Sequence, residues 1–336
     1  MAGTDQRKTL YLVDGTAQVF RAYFAIRGLS NDAGLPTNAV YGFTAMMLKL
    51  IREESPDYLA VAFDLPGKTF RHDRFPKYKA NRPEPPEDLN RQFPYARDVC
   101  RVLNIPILEQ ELFEADDLIA TAARIGTEAG LDVVVVASDK DLMQLVNDQV
   151  TFLNPGKDAR LDPAGVEQTF GVPPEKVIEV QGLMGDTVDN NPGVPGVGEK
   201  TALEMIRTYG SLPVVLERAG RFVAAWDARD RMVEIVDGAI QGEPLDPEAA
   251  GRFRDSLERL LDMEPEGELR ERLEAALRSA GSLTSDKKTL RLAKKAFKGL
   301  DPRSGKRQWY ATFDHRELAL LSMELAKLDV RSPMPI

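Results

Sequence analysis

Three short β-branched or apolar runs, Thr9–Val13, Tyr58–Phe63 and Asp132–Ala137, each lead into an aspartate: Asp14 after YLV, Asp64 after AVAF, and Asp139 after VVVVAS. Helical-period sequence separates them, at Ala39–Ile51, Leu89–Leu103 and Ala115–Ala129. Such alternation predicts an α/β fold with a mostly parallel central sheet flanked by helices. A short strand at Ile105–Leu108 is expected to extend the sheet. From about Asp162 onward the chain reads as nearly all helix, punctuated at Pro173–Pro174 and Pro192–Gly198. The expected organisation is therefore an α/β core over residues 1–160 and a helical region over 161–336.

The positions of the acids carry the chemistry. Ligands of parallel α/β sheets bind in the crevice outside the carboxyl ends of the strands. A single Asp there means little, because Asp is also a common helix N-cap. Three in phase place acids at one rim. More acids follow in pairs. Glu114-Ala-Asp116-Asp117 opens a helix, with Glu114 and Asp117 at i and i+3 on one face and Asp116 on the same turn. The helix dipole alone favours acids there, by about 0.3–1 kcal/mol each. Asp139-Lys-Asp141 and Asp186-Thr-Val-Asp189 add two further pairs. Carboxylates gathered this closely repel one another unless cations intervene, and hard oxygen donors suit Mg²⁺ or Mn²⁺. Two such ions roughly 3.5–4 Å apart would activate a water and stabilise a leaving oxygen in phosphodiester hydrolysis.

Composition removes the competing chemistries. One cysteine, Cys100, excludes an internal disulfide, and with only His72 and His315 beside it no zinc site can be built. No apolar run approaches the roughly 18 residues that span a bilayer, and the N-terminus lacks a signal-peptide core. A cytoplasmic protein without a membrane partner is expected. The formal net charge of −9 speaks against a nucleic-acid partner at first sight, but the charges are segregated. Residues 68–82 carry Lys68, Arg71, Arg74, Lys77, Lys79 and Arg82 against the single acid Asp73, with Phe70, Phe75 and Tyr78 interleaved. Cations with aromatics suit phosphate neutralisation and base stacking on a frayed strand.

These segments together resemble the 5′ nuclease (5′-3′ exonuclease, flap endonuclease-like) domain of bacterial DNA polymerase I. The matching stretches, in the family's order, are YLVDG (11–15), VYGF (40–43), FRHDRFPKYKANRPEPPEDL (70–89), EADDLIA (114–120), SDKDLMQL (138–145) and GDTVDNNPGVPGVGEKTA (185–202), with a return at ELALLSMELAKL (317–328). The resemblance implies a PIN-like core and a two-metal structure-specific nuclease acting in replication or repair. It assigns metal binding to Asp14, Asp64, Glu114, Asp116, Asp117, Asp139, Asp141, Asp186 and Asp189. It makes residues about 66–93 a helical arch over the active site, places Lys79 and Arg82 near the scissile phosphate, and turns Tyr23 and Arg21 toward the same mouth. Arg71, Lys77 and Tyr78 become DNA contacts within the arch.

Gly193-Val-Pro-Gly196-Val-Gly198-Glu-Lys200 resembles a helix-hairpin-helix turn. Its glycines let the backbone approach closely, and the N–H groups opening the next helix can bind phosphate without reading sequence. K⁺ is a further candidate ion there by resemblance. The implied partners are 5′-flapped, nicked or 5′-ended DNA, RNA primers, and a polymerase domain or protein; the chain ends at LDVRSPMPI, about where the family's nuclease domain ends.

The sequence departs from the family at about 218–316, where a short connector is expected and roughly 100 residues stand, both tryptophans among them. This insert holds helix-like segments at 252–263 and 268–280 and a basic run at 287–307, for which non-specific DNA contact and a solvated helix face are both open. Two other functions stay in view: a PIN-like metal-dependent ribonuclease, and a DNA-junction binding module without catalysis.

Overall fold

The computed structural model describes residues 7–157, 159–264, 266–300 and 306–334. A six-stranded sheet is built from β1 (Thr9–Asp14), β2 (Tyr58–Ala62), β3 (Ile107–Leu108), β4 (Asp132–Val136), β5 (Val150–Asn154) and β6 (Ala159–Leu161). Its order is β3-β2-β1-β4-β5-β6, with all pairs parallel except β5 and β6. Valine-rich β4 and apolar β1 lie at the centre, as a sheet covered by helices demands. Helices Gly15–Ala25, Asn38–Glu54 and Phe93–Val102 pack over a core that includes Val13, Phe43, Met47, Val61, Phe63, Leu89 and Val136. Burying each of the larger apolar side chains contributes about 1.5–3 kcal/mol.

The expected strands and the parallel sheet are present, and three local features differ. The sheet continues past β4 into β5 and the antiparallel edge β6, neither of which the apolar pattern marked out. The expected helix Leu89–Leu103 is two helices, Glu87–Asn90 and Phe93–Val102. Pro94 sits in the first turn of the second, where its missing N–H costs nothing, whereas in one continuous helix it could not bond the Asn90 carbonyl and its ring would clash with it. Across residues 66–93 the described helices are only Phe70–Arg74 and Glu87–Asn90, so the expected helical arch is here mostly turn and extended chain.

Two compact units divide the chain: residues 1–178, 186–191 and 324–336, and residues 179–185 and 192–323. The Asp186–Asn191 turn and the C-terminal segment group with the sheet. The second unit is all helix. The helices Leu212–Gln241, Pro247–Leu261, Glu268–Gly281 and Lys287–Gly299 pack around Phe222, Trp226, Phe253, Leu257, Leu273 and Phe297, and Glu199–Tyr209 packs on Leu212–Gln241. The helix Leu212–Gln241 has 30 residues, a length of about 45 Å. It runs unbroken past Glu217, where the insert is expected to begin, and the residues that follow fold as a bundle. Arg218, 1% exposed, donates to Glu264 at 2.6 Å and lies 3.8 Å over the Trp309 ring, tying the start of that helix to the bundle. Among the described residues no helix is long and apolar enough to cross a membrane.

Candidate active site

Strand register sets the rim. Asp14 pairs with Ala62, and Val13 with both Val61 and Val136, so β1, β2 and β4 end level. Asp14, which ends β1, and Asp64 and Asp139, which follow β2 and β4, are thereby brought to one edge. Asp14 also caps the helix Gly15–Ala25, accepting from the Ala17 N–H at 2.9 Å. Gly15 behind it cannot be replaced cheaply: a Cβ there would lie 2.5 Å from Val61 Cγ1. Asp64 accepts from the Ala115 N–H at 2.8 Å, while its own N–H donates to Thr16 Oγ1 at 2.8 Å. Asp139 caps the 3-10 turn Lys140–Leu145 through the Asp141 N–H at 2.9 Å.

The acids opening the helix Ala115–Glu128 have separate tasks. Glu114 is its N-cap, in a capping box with Asp117. Asp117 is fully buried and held by Arg71 through two hydrogen bonds of 2.7 and 2.8 Å. It also accepts from the N–H groups of Glu114 and Asp329, at 3.1 and 2.8 Å. Its oxygens are occupied by this fork and the two amides, and Asp117 does not line the cleft that the other acids form. Arg71, expected to touch DNA, is 1% exposed and also donates to the carbonyls of Leu325 and Lys327 at 2.9 and 3.1 Å. In this arrangement the pair is a strut that ties the helix and the C-terminal segment together beneath the cleft. Two adjacent acids give no sequence signal of which one turns inward.

The basic segment is pinned against the Asp186–Asn191 turn. The Lys79 N–H donates to the Asp189 carbonyl at 2.8 Å, Asn81 to the Thr187 carbonyl at 2.7 Å, and Asn190 to the Lys77 carbonyl at 2.6 Å. Lys79 takes a left-handed φ of 55°, a conformation seldom found outside glycine and kept only where its surroundings enforce it. Its ammonium reaches Glu114 at 2.8 Å and Asp189 at 3.7 Å, and Arg82 pairs with the other Asp189 oxygen. Burial works to lower the Lys79 pKa, but Glu114 and Asp189 hold it above its ordinary value. Tyr78 is 4% exposed, its hydroxyl between Glu114 at 3.2 Å and Asp189 at 3.0 Å. Its ring is therefore not offered to a nucleic-acid base.

A cleft of about 250 Å³ results, lined by Asp14, Asp64, Glu114, Asp116, Asp139, Asp141, Asp186 and Asp189, with Lys79 and Arg82. Burial raises Asp14 to about 7, aided by repulsion from Asp64 and Asp139. Asp116 and Asp141 are pushed well above the carboxylate range, first by burial and then by neighbouring acids. Burial opposes ionisation of Asp189 too, but Lys79 and Arg82 hold its pKa below the ordinary value. Among the described residues no three acids already converge on a single ion position, so the cleft is an open bowl of donors. The donor set is nevertheless what Mg²⁺ or Mn²⁺ needs: hard carboxylate oxygens whose crowding a divalent cation relieves.

Of the other expected DNA contacts, Lys77 is exposed on the basic segment, while Gly196, Gly198 and Lys200 are exposed around the turn into the helix Glu199–Tyr209. Gly193 is buried, with φ 59°, and donates to Ser322 Oγ at 2.8 Å. A Cβ on it would lie 2.4 Å from the Gly185 nitrogen, so glycine is required for the turn to close. Tyr23 is tied to Asp88 at 2.8 Å, and Arg21 is exposed beside Gln18. Lys140, 3.6 Å from Asp186, is a cation at the cleft that sequence reasoning passed over, although it stands between Asp139 and Asp141.

Comparison with known proteins agrees with this architecture. Residues 9–171 match the 5′-3′ exonuclease N-terminal resolvase-like domain, and residues 172–240 match the 5′-3′ exonuclease C-terminal SAM fold. A 5′-3′ exonuclease of Aquifex aeolicus is 42% identical over 215 residues, 64% of this chain and 74% of that one. DNA polymerase I of Rhizobium leguminosarum is 48% identical over 218 residues, 62% of this chain but only 22% of the polymerase. The polymerase I of Bacillus subtilis is 40% identical over 244 residues, 28% of its length. The chain thus spans about a quarter of the DNA polymerase I chains it matches. Among solved structures, bacteriophage T5 5′-exonuclease with zinc bound shares the fold at 20% identity and a TM-score of 0.52, over 95% of this chain and all of that one. Two domain models in sequence and a relative covered over most of its length place this chain in the 5′-3′ exonuclease family.

Proposed function

We propose that this chain is a divalent-metal-dependent 5′-3′ exonuclease and flap endonuclease that hydrolyses DNA phosphodiester bonds. The observation that carries the reading is the cleft itself, where eight carboxylates face Lys79 and Arg82. Asp14, Asp64, Glu114, Asp116, Asp139, Asp141, Asp186 and Asp189 would hold Mg²⁺ or Mn²⁺. Such ions, when bound, supply an activated water and charge neutralisation at the leaving oxygen. The chain's own part is positional. Lys79, fixed by its left-handed backbone, and Arg82 are cations that can leave Glu114 and Asp189 for a phosphate and stabilise charge developing on it. Exposed Gly198, Lys200 and the N–H groups opening the helix Glu199–Tyr209 would hold the duplex backbone without reading its sequence. Asp117 and Arg71 keep the helix that carries Glu114 and Asp116 in place. Support also comes from the T5 flap endonuclease, of the same fold, which is known in complex with DNA and metal ions. A polymerase is the partner that the DNA polymerase I relatives suggest.

The test is cleavage of a 5′-labelled DNA flap, a nicked duplex and a single strand in Mg²⁺, Mn²⁺ and EDTA. Cleavage near the flap junction that EDTA abolishes is expected. No cleavage of any substrate in either metal would overturn the reading. A parallel set with RNA 5′ ends separates a nuclease acting on DNA from one that removes primers, and cleavage of RNA alone would favour a ribonuclease.

A further inference from the structure

The insert carries a cationic helix that the nuclease reading leaves unused. In Lys287–Gly299, Leu290, Ala293 and Phe297 are buried against the bundle. The opposite face exposes Lys287, Lys288, Arg291, Lys295 and Lys298, and residues 287–299 contain no acid. Lys287, Arg291 and Lys295 recur every four residues and Lys298 follows three later, so they form one stripe along the helix. Lys294 is not part of it: this side chain is half-buried and paired with Asp237. The portion of the basic run at 301–305 lies outside the described residues. In a chain of net charge −9, an uninterrupted row of exposed cations is complementary to a polyanion.

Its place in the second unit narrows the partner. The helix Leu212–Gln241 packs against Glu199–Tyr209 near its start, where Arg218 lies 5.0 Å from the Tyr209 ring. Lys287–Gly299 packs on its later half, where Arg229 donates to the Phe297 carbonyl at 3.0 Å and Asp237 meets Lys294. From Arg218 to Arg229 and Asp237 is 11 to 19 helical residues, a spacing of about 17–29 Å.

We infer that the basic stripe of the insert is a second phosphate-binding surface, which engages the backbone of the same duplex held by the turn at Gly193–Gly198, further along it. The inference rests on the nuclease reading only in taking DNA as the ligand. It gives the insert a role: lengthening the duplex footprint of an otherwise family-like nuclease.

The experiment measures affinity by fluorescence anisotropy for uncleaved duplexes of about 10 and 25 base pairs across a salt series, with Ca²⁺ in place of Mg²⁺. The full chain is compared with the quadruple variant Lys287→Gln, Arg291→Gln, Lys295→Gln and Lys298→Gln, and with Lys200→Ala. All four stripe positions are exposed, and circular dichroism and thermal unfolding verify the fold of the variant. For the long duplex, the quadruple variant is expected to flatten the slope of log affinity against log salt by up to about 3.6, at about 0.9 for each phosphate no longer neutralised. The weakening is expected to grow with duplex length, whereas Lys200→Ala weakens both lengths. An unchanged slope in a folded quadruple variant, with Lys200→Ala still weakening binding, overturns the second surface and leaves the turn intact. Failure of the unaltered chain to bind either duplex overturns this inference and the DNA-directed reading together.

Discussion

Neighbouring acids in one helical turn do different work here, and substitution should separate them. Asp117 neutralises a buried Arg71, so Asp117→Ala leaves that guanidinium only the more distant Glu114 at 3.5 Å, and breaking a buried pair from one side costs about 3–5 kcal/mol. Asp116 is a crowded acid in the cleft, and removing it relieves repulsion from Asp14, Asp139 and Asp64. Asp116→Ala is therefore expected to unfold no earlier than the parent in EDTA while losing metal-dependent cleavage. Asp117→Ala should melt several degrees lower in the same buffer. Equal melting temperatures for the two variants would mean that the strut has been misassigned. Lys79→Met tests the catalytic role proposed for Lys79: a fall in kcat of about 10²–10³ is expected, with affinity for uncleaved duplex retained. A matched loss of affinity would instead make Lys79 a general phosphate ligand.

At the scale of elements, legibility followed the strength of the local signal. β1, β2 and β4 could be read because four or five apolar residues stand together and each run ends at an acid, and those acids do share one rim. β5 and β6 were not legible, since three-residue β6 exists only through pairing with its neighbour. The arch was the reverse case: its basic and aromatic residues were visible, but not that Arg71 and Tyr78 would turn inward to Asp117, Glu114 and Asp189. Burial of a cation depends on where its counter-charge folds, and Asp117 lies 46 residues away along the chain. The Gly193 turn was legible, because only glycine meets both demands placed there. Gly193→Ala must combine a left-handed backbone with a Cβ 2.4 Å from the Gly185 nitrogen. A loss of at least about 1–3 kcal/mol is expected from the backbone alone, visible as an earlier thermal transition and weaker duplex binding. Unchanged stability would show that the turn can relax in a way its hydrogen bond to Ser322 does not suggest.

For the molecule as a whole, the cleft makes stability a function of pH and of divalent metal. Asp14, Asp116 and Asp141 hold their protons in the folded state to higher pH than an unfolded aspartate does. Between the unfolded value near 3.8 and the folded value of about 7 for Asp14, the native state binds more protons than the unfolded one. Their contribution to stability therefore falls as pH rises through that window. Asp189, whose pKa is lowered, acts oppositely: its contribution is present above the unfolded value and is lost at more acid pH. Three raised groups against one lowered group predict that the metal-free unit carrying the sheet loosens from about pH 4 to about pH 7. Mg²⁺ binds the deprotonated acids, so its stabilising effect should grow over the same interval. The chain divides into two compact units, and a single melting temperature could blend them. Amide hydrogen exchange resolves the question, with the amides of β1, β2 and β4 compared with those of the helices Leu212–Gln241 and Pro247–Leu261. Protection of the strands, corrected for the intrinsic pH dependence of exchange, should decline toward neutral pH in EDTA and be restored by Mg²⁺, while the bundle helices hold steady. Strand protection that rises toward neutral pH without metal would show that Lys79, Arg82 and Lys140 already balance the acids, and that the cleft does not need an ion to be stable.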